Sequence, residues 1–147
     1  MTPKTLNPEA RNLLEKKLGL LKGYMDKLER YVVLGTDEIL ENDDKLLAME
    51  RAFQLVVDEA IDINSVLAYQ LGNTVPDAYK STFYDLVPIG VIDVDFADKI
   101  SESAKVRNRL THEYDNLTNK ETVESIKKFF EMYKMYTKTV VEKVTAG

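Results

Sequence analysis

The sequence contains no cysteine and a single histidine among its 147 residues. The lack of cysteine excludes disulfide bonds and thiolate metal sites, and no pair of histidines exists to hold a metal. No stretch approaches the roughly 18 apolar residues of a membrane-spanning helix, and the N-terminus lacks the apolar run of a signal peptide. We therefore expect a cytoplasmic protein that has no metal centre and does not enter the membrane.

The balance of charge also limits the possible ligands. Twenty Lys and Arg residues against 25 Asp and Glu residues leave a net charge of −5, so the molecule as a whole does not attract nucleic acid. Any RNA site must therefore be a local basic patch or be reached with help from another molecule. A glycine-rich phosphate loop is absent, so we expect no ATP-dependent transferase activity and no bound cofactor. The length and the 44% hydrophobic fraction suit one globular domain over residues 1–147.

Apolar residues recur at spacings of three and four along most of the chain, which is typical of helices packed on one side. The pattern predicts an all-α antiparallel bundle of four main helices plus a short fifth. The predicted main helices run from Pro8 to about Gly35, from about Asp43 to about Leu71, from a cap at Asp93 or Asp95 to Arg109 or slightly beyond, and from Asn119 to about Val144. The short helix is expected from Asp77 to about Leu86.

The helix that ends near residue 109 carries two arginines with different surroundings. Its small apolar face consists of Ala97, Ile100, Ala104, Arg107 and Thr111, whereas Glu102, Lys105 and Arg109 lie on a charged face. Arg107 thus extends a packed face and needs a partner, because an unpaired buried charge is costly. Asp58 and Asp62 lie one turn apart on the second main helix, and either one could supply that partner.

The end of this helix holds four residues whose chemistry suits a phosphodiester: Arg107, Asn108, His112 and Tyr114. Histidine, with an ordinary pKa of about 6.5, exchanges protons near neutral pH. Arginine presents a planar fork of donors to phosphate oxygens. Taken singly, each residue also has a structural interpretation: a half-buried histidine, an ion-paired arginine, a packed tyrosine, and an amide that caps a helix end.

Taken in order, these residues resemble a known signature. Arg107-Asn108-x-x-x-His112-x-Tyr114 is similar to the motif of the HEPN superfamily in its HepT-like form. The resemblance extends over roughly residues 45 to 117. It includes the stretches Arg51-Ala52-Phe53-Gln54, Asp58-x-x-x-Asp62-Ile63, Val75-Pro76-x-x-Tyr79 and Phe83-x-x-Leu86. This family implies a HEPN-like helical fold and metal-independent cleavage of RNA.

The resemblance also implies roles for the residues. His112 would transfer protons, and Arg107 would stabilise charge on the phosphoryl oxygens. Because one chain has one histidine, acid and base together require a homodimer that places two Arg107–His112 pairs in one cleft. The interface would be built on the helix that begins near Asp43 and on the helix that carries Arg107. Supporting residues would be Asn108, Asp58 and Asp62, and candidates for RNA contact are Lys105 and Arg109.

HepT-like toxins are paired with an MntA-type nucleotidyltransferase antitoxin, which adds AMP to the motif tyrosine. Tyr114 matches that position, and adenylylation there would block RNA by bulk and by negative charge. We therefore expect a ribonuclease toxin that acts on tRNA or mRNA. The alternative is a non-catalytic helical module that binds nucleotide or RNA and partners a nucleotidyltransferase. A structural helical dimer without a ligand is the third interpretation.

Overall fold

A computed structural model describes residues 5–77, 80–112 and 118–146, and for Thr111 and His112 it describes the backbone alone. Within these ranges the chain forms helices and no strand. The five α-helices are α1 (Pro8–Val32), α2 (Thr36–Leu40), α3 (Asp43–Gly72), α4 (Val94–His112) and α5 (Asn119–Thr145), with one 3-10 turn at Thr82–Leu86. The all-α class predicted from the sequence is confirmed.

The helix ends are set by capping residues that the sequence indicates. The Asn7 side chain accepts a hydrogen bond from a first-turn backbone N–H of α1 at 2.7 Å. Asn73 ends α3 in the left-handed conformation, with φ of 53°. The Thr118 hydroxyl accepts from the N–H of Glu121 at 3.1 Å, as the predicted capping box requires. These three ends therefore follow from local chemistry.

Two short elements differ from the prediction. Helix α2, at Thr36–Leu40, was not predicted. Its five residues are too few to show a periodic apolar pattern. Ile39 is fully buried and attaches this turn to the core. The helix predicted from Asp77 to Leu86 is wrong in extent and type, since the described part is helical only at Thr82–Leu86 and there as a 3-10 turn. The Ser81 hydroxyl accepts from the N–H of Phe83 and caps the turn, which therefore begins five residues after the predicted start at Asp77.

Helix α4 begins at the first of its two predicted caps and ends slightly beyond Arg109, as predicted. The Asp93 carboxylate accepts from the N–H of Phe96 at 2.8 Å, so Asp93 rather than Asp95 is the cap. The helix then continues past Arg109 to His112. As a result, the arginine and the histidine of the motif lie on one helix.

The long helices pack antiparallel around α3. Lys17, early in α1, lies beside Glu59 of α3, whereas Arg30, late in α1, lines a groove together with Arg51, which comes earlier in α3. Arg107 near the end of α4 lies against Asp58, and α5 packs on α1, α3 and α4. The buried residues of all five helices form one connected apolar core. In the described ranges no helix is long and apolar enough to span a membrane. That the chain is a single domain stays a prediction.

A buried group of hydrogen bonds joins α5 to α3 and to the 3-10 turn. The Tyr136 hydroxyl donates to the side-chain oxygen of Asn64 at 2.6 Å and to the carbonyl of Ala60 at 3.1 Å. The Asn64 amide donates to the Thr82 hydroxyl at 3.2 Å. Burial raises the pKa of Tyr136 well above its usual value, so the phenol stays protonated and keeps donating. Since Asn64 and Tyr136 are fully buried, these bonds hold the turn in place.

We predict that Tyr136→Phe lowers the free energy of unfolding by about 1–3 kcal/mol, because the Asn64 oxygen is left buried without its donor. Urea denaturation followed by circular dichroism measures this. Tyr84→Phe is the matched control, since the Tyr84 hydroxyl donates to Asp98 at the exposed surface. No measurable change is expected for the control, and an equal loss in both variants would contradict the role of the buried bonds.

Candidate active site

Helix α4 carries the catalytic candidates Arg107 and His112. They are five residues apart on one continuous helix, a rise of about 7.5 Å along the axis. The side chain of His112 and the whole of Tyr114 lie outside the described residues. The geometry between Arg107, His112 and Tyr114 therefore stays a prediction.

Contacts with α3 and with α4 orient the Arg107 guanidinium. Its Nη2 lies 2.8 Å from a carboxylate oxygen of Asp58 on α3, and its Nη1 donates to the side-chain oxygen of Asn108 at 2.9 Å. The Arg107 side chain is 31% exposed and that of Asp58 is 41% exposed. The guanidinium is thus oriented by α3 and α4 while part of its surface stays open to a ligand.

Asp58 and Asp62, the two predicted partners of Arg107, point to different helices. The Asp62 carboxylate is 62% exposed and lies 3.8 Å from the Lys17 amine of α1, which also lies 3.7 Å from Glu59. Four residues turn an α-helix by about 40° beyond a full circle, which rotates Asp62 away from α4 and towards α1. The structure therefore places Asp58, and not Asp62, against Arg107.

Glu59 lies between Asp58 and Asp62 in sequence and was not among the predicted site residues. Its side chain is only 11% exposed, and burial raises its pKa, while the neighbouring Lys17 amine opposes that rise. The pattern of an acid on the apolar side of α3 was visible in the sequence. Its partner was not, because α1 and α3 meet only in the folded bundle.

The predicted RNA contacts Lys105 and Arg109 lie on the outer side of α4, and both are exposed. The Lys105 amine makes an ion pair of 3.0 Å with Glu102, one helical turn away. This carboxylate offsets much of the local positive charge. The contribution of Lys105 and Arg109 to RNA binding stays a prediction.

A polar cleft of about 540 Å³ adjoins the motif, between α3, the 3-10 turn and α4. Its lining includes Ile61, Lys80, Thr82, Ser101, Lys105 and Asn108. Asn108 connects the cleft to the motif arginine, because it lines the cleft and its side-chain oxygen accepts a hydrogen bond from Arg107. Sequence reasoning did not find this cleft, because its walls come from three distant segments.

In residues 5–77, 80–110 and 118–146, no three Asp or Glu side chains converge to hold a metal ion. The Asp58 carboxylate and the Asn108 amide contact the Arg107 guanidinium and orient it. What this arrangement can do chemically is present a fixed guanidinium to an anion.

Comparison with known families identifies the chain. The family described as ribonuclease HepT-like matches residues 21–140. The chain belongs to the HepT-like ribonuclease family. Membership confirms the family and the enzyme class that the motif predicted, whereas the individual roles of Arg107, His112 and the supporting residues stay predictions.

Two relatives cover most of this HepT-like chain. It is 27% identical over 128 residues to the tRNA nuclease HepT of Aphanizomenon flos-aquae, which covers 87% of each chain. It is 30% identical over 128 residues to a candidate RNase of Archaeoglobus fulgidus, covering 82% of this chain and 95% of that one. The similarity therefore extends over the whole bundle, well beyond the short motif.

A solved structure has the same fold. The HEPN toxin of Shewanella oneidensis, in a tri-AMPylated form and in complex with its MNT antitoxin, superimposes with a TM-score of 0.78 at 15% identity. The match covers 92% of this chain and 98% of that one. The HEPN-like helical bundle predicted from the sequence is thus confirmed.

We predict that the Arg107–Asp58 pair adds little to stability, because both side chains are partly exposed and solvent screens them. A double-mutant cycle of Arg107→Gln and Asp58→Asn, measured by urea denaturation, should give a coupling of about 0.2–1 kcal/mol. The exposed pair Lys134–Glu131 on α5 supplies the reference cycle. A coupling of several kcal/mol would instead make Arg107 a structural residue of the bundle.

Proposed function

We propose that this chain is the toxin of a toxin–antitoxin pair and cleaves RNA without metal, using Arg107 and His112. The observation that carries the proposal is the Arg107 guanidinium, which Asp58 holds at 2.8 Å and which remains 31% exposed, five residues before the only histidine. A cation fixed before the substrate arrives stabilises developing charge without reorganising during the reaction. That is the requirement for phosphodiester cleavage.

In the proposed reaction the imidazole of His112 removes a proton from a ribose 2′-hydroxyl or from water. The resulting oxygen forms a bond to phosphorus while the bond to the leaving oxygen breaks and that oxygen gains a proton. Arg107 stabilises the charge on the phosphoryl oxygens, with Asp58 and Asn108 holding its guanidinium. Acid and base together need two imidazoles, so a homodimer through α3 and α4 completes the site.

The proposed substrate is tRNA, with mRNA as the second choice. Support comes from the Aphanizomenon relative, which is named a tRNA nuclease and aligns with 87% of this chain. We place the reaction in the cytoplasm, where both kinds of RNA occur. Lys105, Arg109 and the cleft beside Asn108 would then contact nucleotides next to the cleaved phosphate.

The proposed partner is a nucleotidyltransferase antitoxin of the MntA type. The Shewanella toxin, which shares this fold, was solved with its MNT antitoxin and carries AMP groups. We assign the modification in this chain to Tyr114, two residues after His112. AMP there would add bulk and negative charge next to the histidine and repel a phosphate backbone.

A second candidate function is a non-catalytic module that binds nucleotide or RNA and positions a nucleotidyltransferase. It is favoured by the net charge of −5 and by the ion pair that offsets Lys105 beside the motif. The two functions differ in whether Arg107 and His112 are needed for bond cleavage or only for binding.

We predict that Arg107→Ala and His112→Ala each lower the rate of RNA cleavage by about 10²–10⁴-fold, because each removes a group that acts in the transition state. The measurements are cleavage of total tRNA by the purified protein and growth arrest on expression. Lys138→Ala, at an exposed position of α5, is the control and should behave like the parent. If both site variants cleave tRNA like the parent, Arg107 and His112 are not the catalytic residues, and if the parent itself does not cleave RNA, the ribonuclease function is wrong.

The composite site makes activity depend on concentration. Specific activity should fall when the protein is diluted below the dissociation constant of the dimer, because a monomer lacks the second imidazole. Analytical ultracentrifugation measured over the same dilution series provides the comparison. A monomer that cleaves RNA at undiminished specific activity would contradict the shared site.

We predict that Tyr114→Phe remains toxic but escapes its antitoxin, because the acceptor hydroxyl for AMP is gone. Co-expression with the neighbouring nucleotidyltransferase tests this by growth, and intact mass spectrometry of the parent toxin reports the added AMP. If the antitoxin neutralises the variant as completely as it neutralises the parent, the modified residue is not Tyr114.

A further inference from the structure

We infer that the groove between α1 and α3 binds the backbone of single-stranded RNA that leads away from Arg107. The inference rests on the proposed ribonuclease function and names the surface that its substrate follows. The groove has a volume of about 300 Å³. Lys27 and Arg30 of α1 and Arg51 of α3 line it together with Tyr31, and its remaining lining is alanine and leucine.

The groove is lined by three cations and by no carboxylate. The Arg51 guanidinium donates to the Gln54 side chain at 3.3 Å, and the Lys27 amine lies 6.0 Å from the centre of the Tyr24 ring. Within the described part of the chain, neither these two residues nor Arg30 forms an ion pair. Three charges without carboxylates among the lining residues create a local positive potential on a chain of net charge −5.

Two acidic residues of α1 lie next to Lys27 and Arg30 in sequence but line a different surface. Asp26 and Glu29 line a different groove, between α1 and α5, where they are accompanied by Lys22 and Lys134. The two sides of α1 therefore differ. The groove towards α5 is lined by both acidic and basic residues, whereas all the charged residues that line the groove towards α3 are basic. A cationic groove fits a polyanion, whereas a mixed groove does not.

Tyr31 gives the groove a second property. Its ring is half-buried and packs against the core, so it is held in place beside the cations. A basic groove with an aromatic ring is the arrangement by which proteins hold single-stranded RNA, since phosphates meet the cations and bases stack on the ring. An acidic protein partner could use both the cations and the ring, but the groove lies on the same side of α3 as the Asp58–Arg107 pair, so we commit to RNA.

The groove lies within reach of the proposed active site. Arg51 and Asp58 share the exposed side of α3 and are seven residues apart, which is about 10.5 Å along the helix. Asp58 contacts Arg107, so an RNA strand with its phosphate at Arg107 reaches the groove within a few nucleotides. By contrast, Lys105 beside the motif is already paired with Glu102.

The test compares two charge-matched triple variants of the full chain in the His112→Ala background, which binds RNA without cutting it. The first is Lys27→Ala, Arg30→Ala and Arg51→Ala. The control is Lys16→Ala, Lys128→Ala and Lys138→Ala, at exposed positions outside the groove. Binding of a fluorescent single-stranded RNA is measured by anisotropy over a series of salt concentrations.

The groove variant should bind RNA about tenfold more weakly, and its slope of log affinity against log salt should fall by about 2, at about 0.7 for each lost phosphate contact on a single strand. The control should keep the parent slope. The charge-conserving variant Lys27→Arg, Arg30→Lys and Arg51→Lys should restore binding, and Tyr31→Phe should leave it unchanged because the ring remains.

Three outcomes would overturn the inference. If the groove variant and the control show the same salt slope, the groove does not hold phosphates, even though the parent binds and cleaves RNA. If the groove variant binds RNA normally but loses the antitoxin in a pull-down, the groove belongs to an acidic protein partner. If the parent neither binds nor cleaves RNA, the proposed function fails, and this inference fails with it.

Discussion

The burial of α3 on three sides is the constraint on which the rest of the structure depends. This helix packs against α1, α4 and α5, and buried apolar residues recur along it from Leu46 to Ala68. A helix packed on three sides must place its buried polar side chains where a neighbouring group can form hydrogen bonds with them. Asn64 is the clearest case, since Tyr136 and Thr82 satisfy its buried amide and thereby position the 3-10 turn beside the cleft.

The polar residues that remain on the outer side of α3 organise the functional surface. Asp58 lies towards α4 and holds Arg107, whereas Asp62 lies towards α1 and meets Lys17. Arg51, two turns earlier, lines the cationic groove that α3 forms with α1. The oriented guanidinium, the polar cleft and the cationic groove are therefore arranged along one helix, which suits an extended substrate such as RNA.

Much of this protein could be predicted from its residues. The caps at Asn7 and Thr118 follow from short-range hydrogen bonding, and the long helices follow from apolar spacing. The motif on α4 identifies the HepT-like ribonuclease family, which the match over residues 21–140 confirms. The errors fall on α2 and on the 3-10 turn at Thr82–Leu86, because elements of five residues carry no detectable periodicity.

By itself, the sequence determined the helical class, the family and the need of Arg107 for a carboxylate partner. These depend on spacing within one helix and on the kinds of residue present. Only the tertiary structure decided between Asp58 and Asp62, joined Asn108 to the cleft, and gathered Lys27, Arg30 and Arg51 into one groove. The physical reason is that these contacts cross between helices. They depend on the register and rotation with which α1, α3 and α4 pack, and no local pattern encodes that packing.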